Sequence, residues 1–381
     1  MDFTLSGEQE LLREGLSKFL AARYDLESSR AAAKTGPGWQ PDIWRGFADE
    51  LGILGATLPE SVGGSGGGSA EAMVIAEELG RALAIEPFVD TVIVAGGLLS
   101  RAGGEAAASV LEEIAAGSAI VALAATEPGS GEHWEAIASS AVRDGDHWVL
   151  NGTKTVVVSA PLATHLLIVA RTGQSVDSRA MSLFLTAFDA AAPPAGLTVH
   201  GYRTIDDRRA ADLIFNDVRL PADALLQTDA WPSLALARDE GAAAVCAEAV
   251  GAMRKVLADT VDYSKQRQQF GQPIGSFQVL QHRMVDMYME LEQAVSAAYL
   301  AVLNLDAEPD VRARAVSAAK ATVGRAARFI GQNAVQLHGG MGMTEELAIG
   351  HYFKRLTALQ YEFGSTDYHR ARYATLTRPT I

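Results

Sequence analysis

The chain has 381 residues, of which 48% are hydrophobic and 20% charged, ordinary globular proportions that exclude intrinsic disorder. A net charge of −14 repels phosphate backbones, so no nucleic-acid partner is expected. The single cysteine, Cys246, excludes an intrachain disulfide framework and cysteine-rich metal or iron–sulfur sites. Met1–Ser6 has no basic n-region and no apolar h-region, so no signal peptide is expected. Near the front the longest apolar stretch is Thr91–Leu99, too short to span a bilayer. These features predict a soluble cytoplasmic protein with no membrane role.

The first third reads as helical. Ser6 and Gln9 form a capping-box pair, with Glu8 and Glu10 in the first turn. Leu11, Leu12, Leu16, Phe19 and Leu20 then recur at helical spacing. Trp39–Leu54, Ala70–Ala84 and Glu105–Ala116 repeat the pattern, with a glycine-rich loop at Pro59–Ser69. The middle third carries short β-rich runs at Ile120–Ala125, His147–Leu150, Thr155–Ser159, His165–Ala170, Met181–Thr186, Leu197–Val199 and Ala211–Phe215. Asp144-Gly145-Asp146 and Asn151-Gly152 read as turns between them, so an antiparallel β domain is predicted. Long helical patterns return at Leu234–Arg267, Phe277–Leu305 and Asp310–Leu337, broken by Pro273 and Pro309. Helices of this length, apolar around much of their circumference, are buried by other helices. The fold class is therefore α+β, with a helical domain at 1–119, a β domain at 120–228 and a helical bundle at 229–381.

Several motifs have an ordinary explanation. Gly63-Gly64-Ser65-Gly66-Gly67 fits G-x-S-x-G, but no strand precedes it, so a loop is expected instead of a nucleophile elbow. Neither this stretch nor Gly340-Met341-Gly342 completes a dinucleotide fingerprint. The histidines show no metal-ligand spacing, and no metal is expected. Thr126-Glu127-Pro128-Gly129-Ser130-Gly131 reads as a polar turn after a strand. Gln336-Leu337-His338-Gly339-Gly340 reads as a helix C-cap whose glycines also admit a ligand. Arg267–Gln278 is more distinctive, because an Arg ending one helix and a Gln starting the next suit an anionic ligand such as a pyrophosphate.

Taken in order and at their spacing, these segments together with Asn151-Gly152-Thr153-Lys154 and Phe363-Gly364-Ser365-Thr366-Asp367 resemble the acyl-CoA dehydrogenase family over essentially the whole chain. Cys246–Met253, Gly275–Asp286 and Gly350–Leu356 look most like the small subunit of bacterial pimeloyl-CoA dehydrogenase-type enzymes. The resemblance implies an N-terminal helical domain, a middle β domain and a C-terminal four-helix bundle. It also implies FAD, a homo- or heterotetramer with a related chain, an acyl-CoA substrate and an electron-transfer flavoprotein as partner. Such an enzyme polarises a thioester carbonyl, sets a carboxylate beside the α-carbon and passes the β-hydride to flavin. Carried over by position, Leu123, Thr126, Val156 and Val158 would face the flavin. Arg267, Phe270 and Gln278 would reach the FAD of a neighbouring subunit, and Gln336, Gly339 and Gly340 its adenosine part. Ser365 and Asp367 would meet the FAD of their own subunit, while Ser130, Asp239 and Phe363 would line the substrate.

The sequence departs from the family where the base belongs. The Gly-Ser-Thr frame puts Phe363 at that place, with Glu362 one residue off. A second family solution puts Glu on the first long C-terminal helix, where Gly241 stands, with Glu240 adjacent. Glu248 lies two turns further, about 20° off the same face. It interrupts the apolar run Ala-Val-Cys-Ala-Glu-Ala-Val-Gly. Two readings stay open for it: a buried Glu paired with an Arg, or the catalytic base. Two readings stay open for the chain as well: a working dehydrogenase subunit, or a structural partner without an active site of its own.

Overall fold

The computed structural model describes residues 5–172 and 180–378. The chain divides into two compact units, neither continuous in sequence. One takes Met1–Ser29, Ser69–Ala84 and Ala242–Ile381; the other takes Arg30–Gly68 and Ile85–Gly241.

The chain ahead of the sheet is helical, with segments that fall in both units. Helix α1 (Gly7–Arg23) starts with the predicted capping box: Gln9 N–H donates to the Ser6 hydroxyl, and the Gln9 side chain accepts from Ser6 N–H. Helix α2 (Leu26–Lys34) has no apolar periodicity, and α3 (Pro41–Asp49) is shorter than the predicted Trp39–Leu54 because a 3-10 turn takes Ile53–Gly55. Helix α4 (Ser69–Ala82) follows the glycine loop; α5 (Gly96–Ala102), preceded by a π-helical turn at Val89–Ala95, and α6 (Glu105–Ala115) come next.

In the second unit β1 (Val121–Ala124), β2 (Ser140–Asp144), β3 (His147–Val158), β4 (His165–Thr172), β5 (Ser182–Ala187), β6 (Leu197–Arg203), β7 (Arg209–Pro221) and β8 (Leu225–Gln227) share one sheet. Its order is β6-β7-β3-β2-β4-β5-β8, with β1 on β4. Most pairs are antiparallel as predicted, but β4 runs parallel to both β1 and β2. Residues Leu166–Ala170 of β4 are buried on both faces, the pattern of a central strand. Asp144-Gly145-Asp146 does turn β2 into β3. Asn151-Gly152 does not turn the chain; it lies inside β3 at a bulge against β7. A Cβ on Gly152 would sit 2.1 Å from the Ser139 hydroxyl, so the glycine serves close approach there.

The long helix α7 (Trp231–Gln266) ends at a small hairpin of β9 (Gln268–Gln269) and β10 (Gln272–Pro273). Helices α8 (Gln278–Val302), α9 (Pro309–His338), α10 (Ala348–Leu359) and α11 (Thr366–Thr377) follow. Helix α9 buries Ala315, Ala319, Ala326, Ala327 and Ala334, and these small side chains let α8, α10 and α11 pack around it. Helices α4 and α7 approach through reciprocal glycines. A Cβ on Gly80 would stand 2.0 Å from the Glu248 carbonyl oxygen, and one on Gly251 would stand 1.8 Å from that of Glu77.

Those contacts are backbone to backbone and cannot yield by rotating a side chain. Gly80→Ala or Gly251→Ala is expected to cost about 1–3 kcal/mol or more of stability, the range for overpacking. Urea denaturation checks this; unchanged midpoints would contradict the close crossing.

Candidate functional site

In the sheet unit the predicted flavin-facing residues meet where β1 ends beside β3. Thr126 accepts a hydrogen bond from Thr155 N–H at 2.9 Å. Val156 and Val158 share the outward face of β3, with Val157 turned into the core. Val156 is 54% exposed and left-handed at φ +52°, where a β-branched residue is strained. Its N–H donates to the Asp212 carboxylate at 2.9 Å, which also accepts from the Tyr202 hydroxyl at 3.0 Å. Burial, with Asp212 beside it, pushes the Tyr202 phenol up to about 12. Leu123 is half-buried on β1. The Ser130 hydroxyl closes the 127–130 turn, donating to Glu127 O at 2.9 Å. Asp239 has no exposed surface through which to touch a substrate, and Glu240 is held bidentately by Arg101 at 2.8 and 2.9 Å.

Beneath this edge lies a buried ion pair that the sequence did not reveal. Lys154 Nζ donates to Glu127 Oε1 at 2.6 Å, and Glu127 also accepts from Ala138 and Ser139 N–H groups. Burial pushes the Lys154 ammonium down to about 8 against the pull of Glu127. Burial also raises the Glu127 carboxyl, but the Lys154 charge and the hydrogen bonds outweigh it, and the net shift is downward. Both groups are therefore mostly ionised at neutral pH.

In the helical unit Arg267 follows α7, and its N–H donates to Tyr263 O at 2.8 Å. Phe270 sits at the hairpin tip, 91% exposed and at φ +55°, with only Phe277 edge-on beside it, at 6.1 Å, among the described ring contacts. Gln278 opens α8 and is exposed. Tyr263 stacks on His338 at 4.3 Å, which brings the end of α7 to the end of α9, where Gln336, Gly339 and Gly340 are exposed. Gly339 takes φ +61°, and a Cβ there or on Gly340 would meet nothing within 4 Å. A cation, amide side chains, open backbone and an uncovered aromatic ring fit the polar and planar parts of a dinucleotide such as FAD.

Glu248 lies in a different environment. Both its oxygens are bound by Arg355, Nε to Oε1 at 2.7 Å and Nη2 to Oε2 at 2.9 Å, and both side chains are 3% exposed. This is the paired arrangement left open by the sequence. The same guanidinium holds Glu362 through Nη1 at 2.5 Å and Nη2 at 3.1 Å, with that carboxylate 22% exposed. Phe363 follows, half-buried and left-handed at φ +56°. Ser365 caps α11 by accepting from Tyr368 N–H at 3.1 Å, and Asp367 projects into solvent beside Arg370. Burial pushes the Cys246 thiol up to about 12, so it is an inert core group. Sequence reasoning missed Arg355, whose partners lie 107 and 7 residues away. It also missed Lys320, although that residue interrupts the apolar helix face of Ser-Ala-Ala-Lys-Ala-Thr-Val much as Glu248 interrupts its own run.

Family models match three successive stretches: acyl-CoA dehydrogenase N-terminal domain at 6–118, middle domain at 122–218 and C-terminal domain at 232–375. The chain belongs to the acyl-CoA dehydrogenase family. This is an FAD-dependent family of oxidoreductases involved in fatty acid oxidation. The chain is 32% identical over 352 residues to acyl-CoA dehydrogenase IpdE2 of Mycolicibacterium smegmatis, covering 92% of this chain and 93% of that one. It is 28% identical to the human mitochondrial short-chain specific acyl-CoA dehydrogenase over 84% and 78% of the two chains. Among solved structures, a Tcur3481-Tcur3483 steroid ACAD variant superposes with a TM-score of 0.87 at 29% identity, over 98% of each chain. Among the described residues no helix is long and apolar enough to cross a membrane, and no group of His, Cys, Asp or Glu could hold a metal.

The buried pair sets a pH dependence. Because the folded-state pKa of Glu127 is depressed, its contribution to stability is full above the ordinary carboxylate range and is lost as pH falls through the folded value. Glu127→Gln is expected to flatten the acid limb of a stability–pH profile. Lys154→Met leaves a buried carboxylate without its cation and should cost about 3–5 kcal/mol near neutrality. Denaturant midpoints from pH 3 to 8 read both effects.

Proposed function

We propose that this chain is an FAD-dependent acyl-CoA dehydrogenase subunit that converts an acyl-CoA, including dicarboxylyl or bulky ones, to its trans-2-enoyl-CoA. The observation that carries the reading is the Arg355 pair of carboxylates beside left-handed Phe363, at the place where the family sets its base. A base must be able to leave its counter-ion and reach the substrate. Glu248, bidentate and 3% exposed, is poorly suited to that, whereas Glu362 is partly open. In this reading Glu362 takes the α-proton, and Glu248 is the fixed counter-charge in place of the base expected from sequence. When Glu362 moves, Arg355 keeps Glu248, so its buried charge stays neutralised. Phe363 and Ser130 are the residues that the family resemblance assigns to the acyl group.

FAD, when bound, supplies the hydride acceptor. Leu123, Thr126, Val156 and Val158 would flank its ring system, with Ser365 and Asp367 toward the FAD of the same chain. Arg267, Phe270 and Gln278 would reach the pyrophosphate region of FAD on a neighbouring chain, and Gln336, Gly339 and Gly340 its adenosine end. Exposed Phe270, Val279, Tyr288 and Met289 around the start of α8 support burial by another copy or a related chain, in a homo- or heterotetramer. A solved structure of an electron transferring flavoprotein of Acidaminococcus fermentans is similar to this chain at 26% identity; an electron-transfer flavoprotein is the acceptor proposed here, in a soluble cytoplasmic setting. A second reading, a partner subunit with no reaction of its own, is favoured by one observation: Glu248 and Glu362 are both ion-paired and Phe363 stands where a base belongs.

Three variants test the assignment. Glu362→Gln should slow flavin reduction by acyl-CoA about 10²–10⁴-fold while sparing FAD. Glu248→Gln should instead lower stability by a few kcal/mol, because it breaks the buried bidentate ion pair with Arg355. The reverse pattern would return the base to Glu248. Arg267→Ala should reduce FAD content without unfolding the chain, read from the flavin absorbance of purified protein. A wild-type chain that binds flavin alone yet is reduced by no acyl-CoA would establish the partner reading.

A further inference from the structure

Lys320 is 2% exposed in the middle of α9. Its ammonium has three N–H donors, and three backbone carbonyls take them: Leu359 at 2.8 Å, Gln360 at 3.2 Å and Gly364 at 3.0 Å. Leu359 and Gln360 end α10, where carbonyls lack helical partners and the helix dipole is negative. Gly364 lies beyond Phe363, so one side chain brackets the whole segment Tyr361–Phe363.

The rest of that segment is held from the same side. His369 Nε2 donates to Phe363 O at 3.0 Å, and its Nδ1 lies 3.3 Å from the Ser317 hydroxyl, one turn before Lys320 on α9. One turn after Lys320, Gly324 receives Thr366; a Cβ there would stand 2.4 Å from its hydroxyl. Phe363 persists in a left-handed conformation, which an aromatic residue keeps only when its surroundings over-determine it. Gly364 at φ +111° would place a Cβ 2.7 Å from His369 Nε2, so the turn has no slack on that side either.

We infer that Lys320, assisted by His369, is a positioning residue: it fixes the backbone of 361–364 so that Glu362 and Phe363 present a single geometry to the acyl group. This rests on the reading that these residues face the substrate. Lys320 touches neither substrate nor FAD in this account. Its effect passes through three carbonyls, so it should act on the rate of reaction more than on acyl-CoA affinity.

The test uses full-length protein loaded with FAD, comparing wild type with Lys320→Met, which keeps an apolar stem and loses all three donors. Hydrogen exchange is followed at the Tyr361 and Gly364 amides, which donate to Ala358 O and Tyr361 O. Exchange there should rise at least tenfold, with α8 and the first half of α9 still protected. Flavin reduction by octanoyl-CoA should slow at least tenfold with its half-saturating concentration unchanged. Unchanged exchange at 361–364, or exchange that rises equally throughout the helices, overturns the inference. If Lys320→Met does not fold, His369→Leu is judged by the same exchange criterion, since it releases Phe363 O while leaving Lys320 in place. If octanoyl-CoA fails to reduce the wild-type flavin, the dehydrogenase reading is at fault, and exchange alone decides the role of Lys320.

Discussion

Arg355 imposes the strictest demand in the helical unit. A guanidinium only 3% exposed has lost most of its hydration, a penalty of several kcal/mol that only close carboxylates can offset. Glu248 meets it from α7 and Glu362 from the turn after α10, so three chain segments are tied to one planar group. The fork of five donors lets it hold both carboxylates at once, which a lysine could not do with the same geometry.

Small residues make such burial possible. Helices α4 and α7 touch backbone to backbone through Gly80 and Gly251, which brings α7 close under α4 and shields the Glu248 turn from water. Helix α9 is lined with alanine on its buried face, so Lys320 meets carbonyls instead of bulky side chains. A buried charge in an alanine-rich helix is thus answered by backbone or by one distant partner.

This also explains what could be read from sequence. The capping box at Ser6, the glycine loop and the long helices were legible because each depends on residues within a few positions of one another. Helix α2 was not, because Leu-Glu-Ser-Ser-Arg-Ala-Ala-Ala-Lys lacks an apolar period; nor was β2, whose residues are mostly polar and which exists through its neighbours β3 and β4. Asn151-Gly152 was misread because a glycine that turns a chain and one that admits Ser139 look alike in sequence. Glu248 stood out as a charge in an apolar run, but its partner lies 107 residues on, and spacing cannot find such a partner. The surface segments proposed for a ligand stand out as motifs in the sequence, whereas the buried groups that hold them in place do not.

Those holding groups follow one physical logic in each unit. Val156 and Phe363 are both non-glycine residues in the left-handed region, each strained by about 1–3 kcal/mol. Near each lies a buried lysine. Lys154 precedes Val156 by two residues and is fixed to Glu127 and Ala125 O; Lys320 brackets Phe363 through the carbonyls around it. A surface loop with such strain would relax by rotating one peptide. At Phe363 that rotation would disturb the Gly364 carbonyl held by the buried Lys320 ammonium, and an unpaired buried charge costs more than the strain it would relieve; at Val156 it would break the N–H bond to the Asp212 carboxylate. The strained conformation is therefore the lower-energy choice in each place. It puts Val156 on an exposed strand face and sets Glu362 and Phe363 together at one turn, without any need for a ligand to order them first.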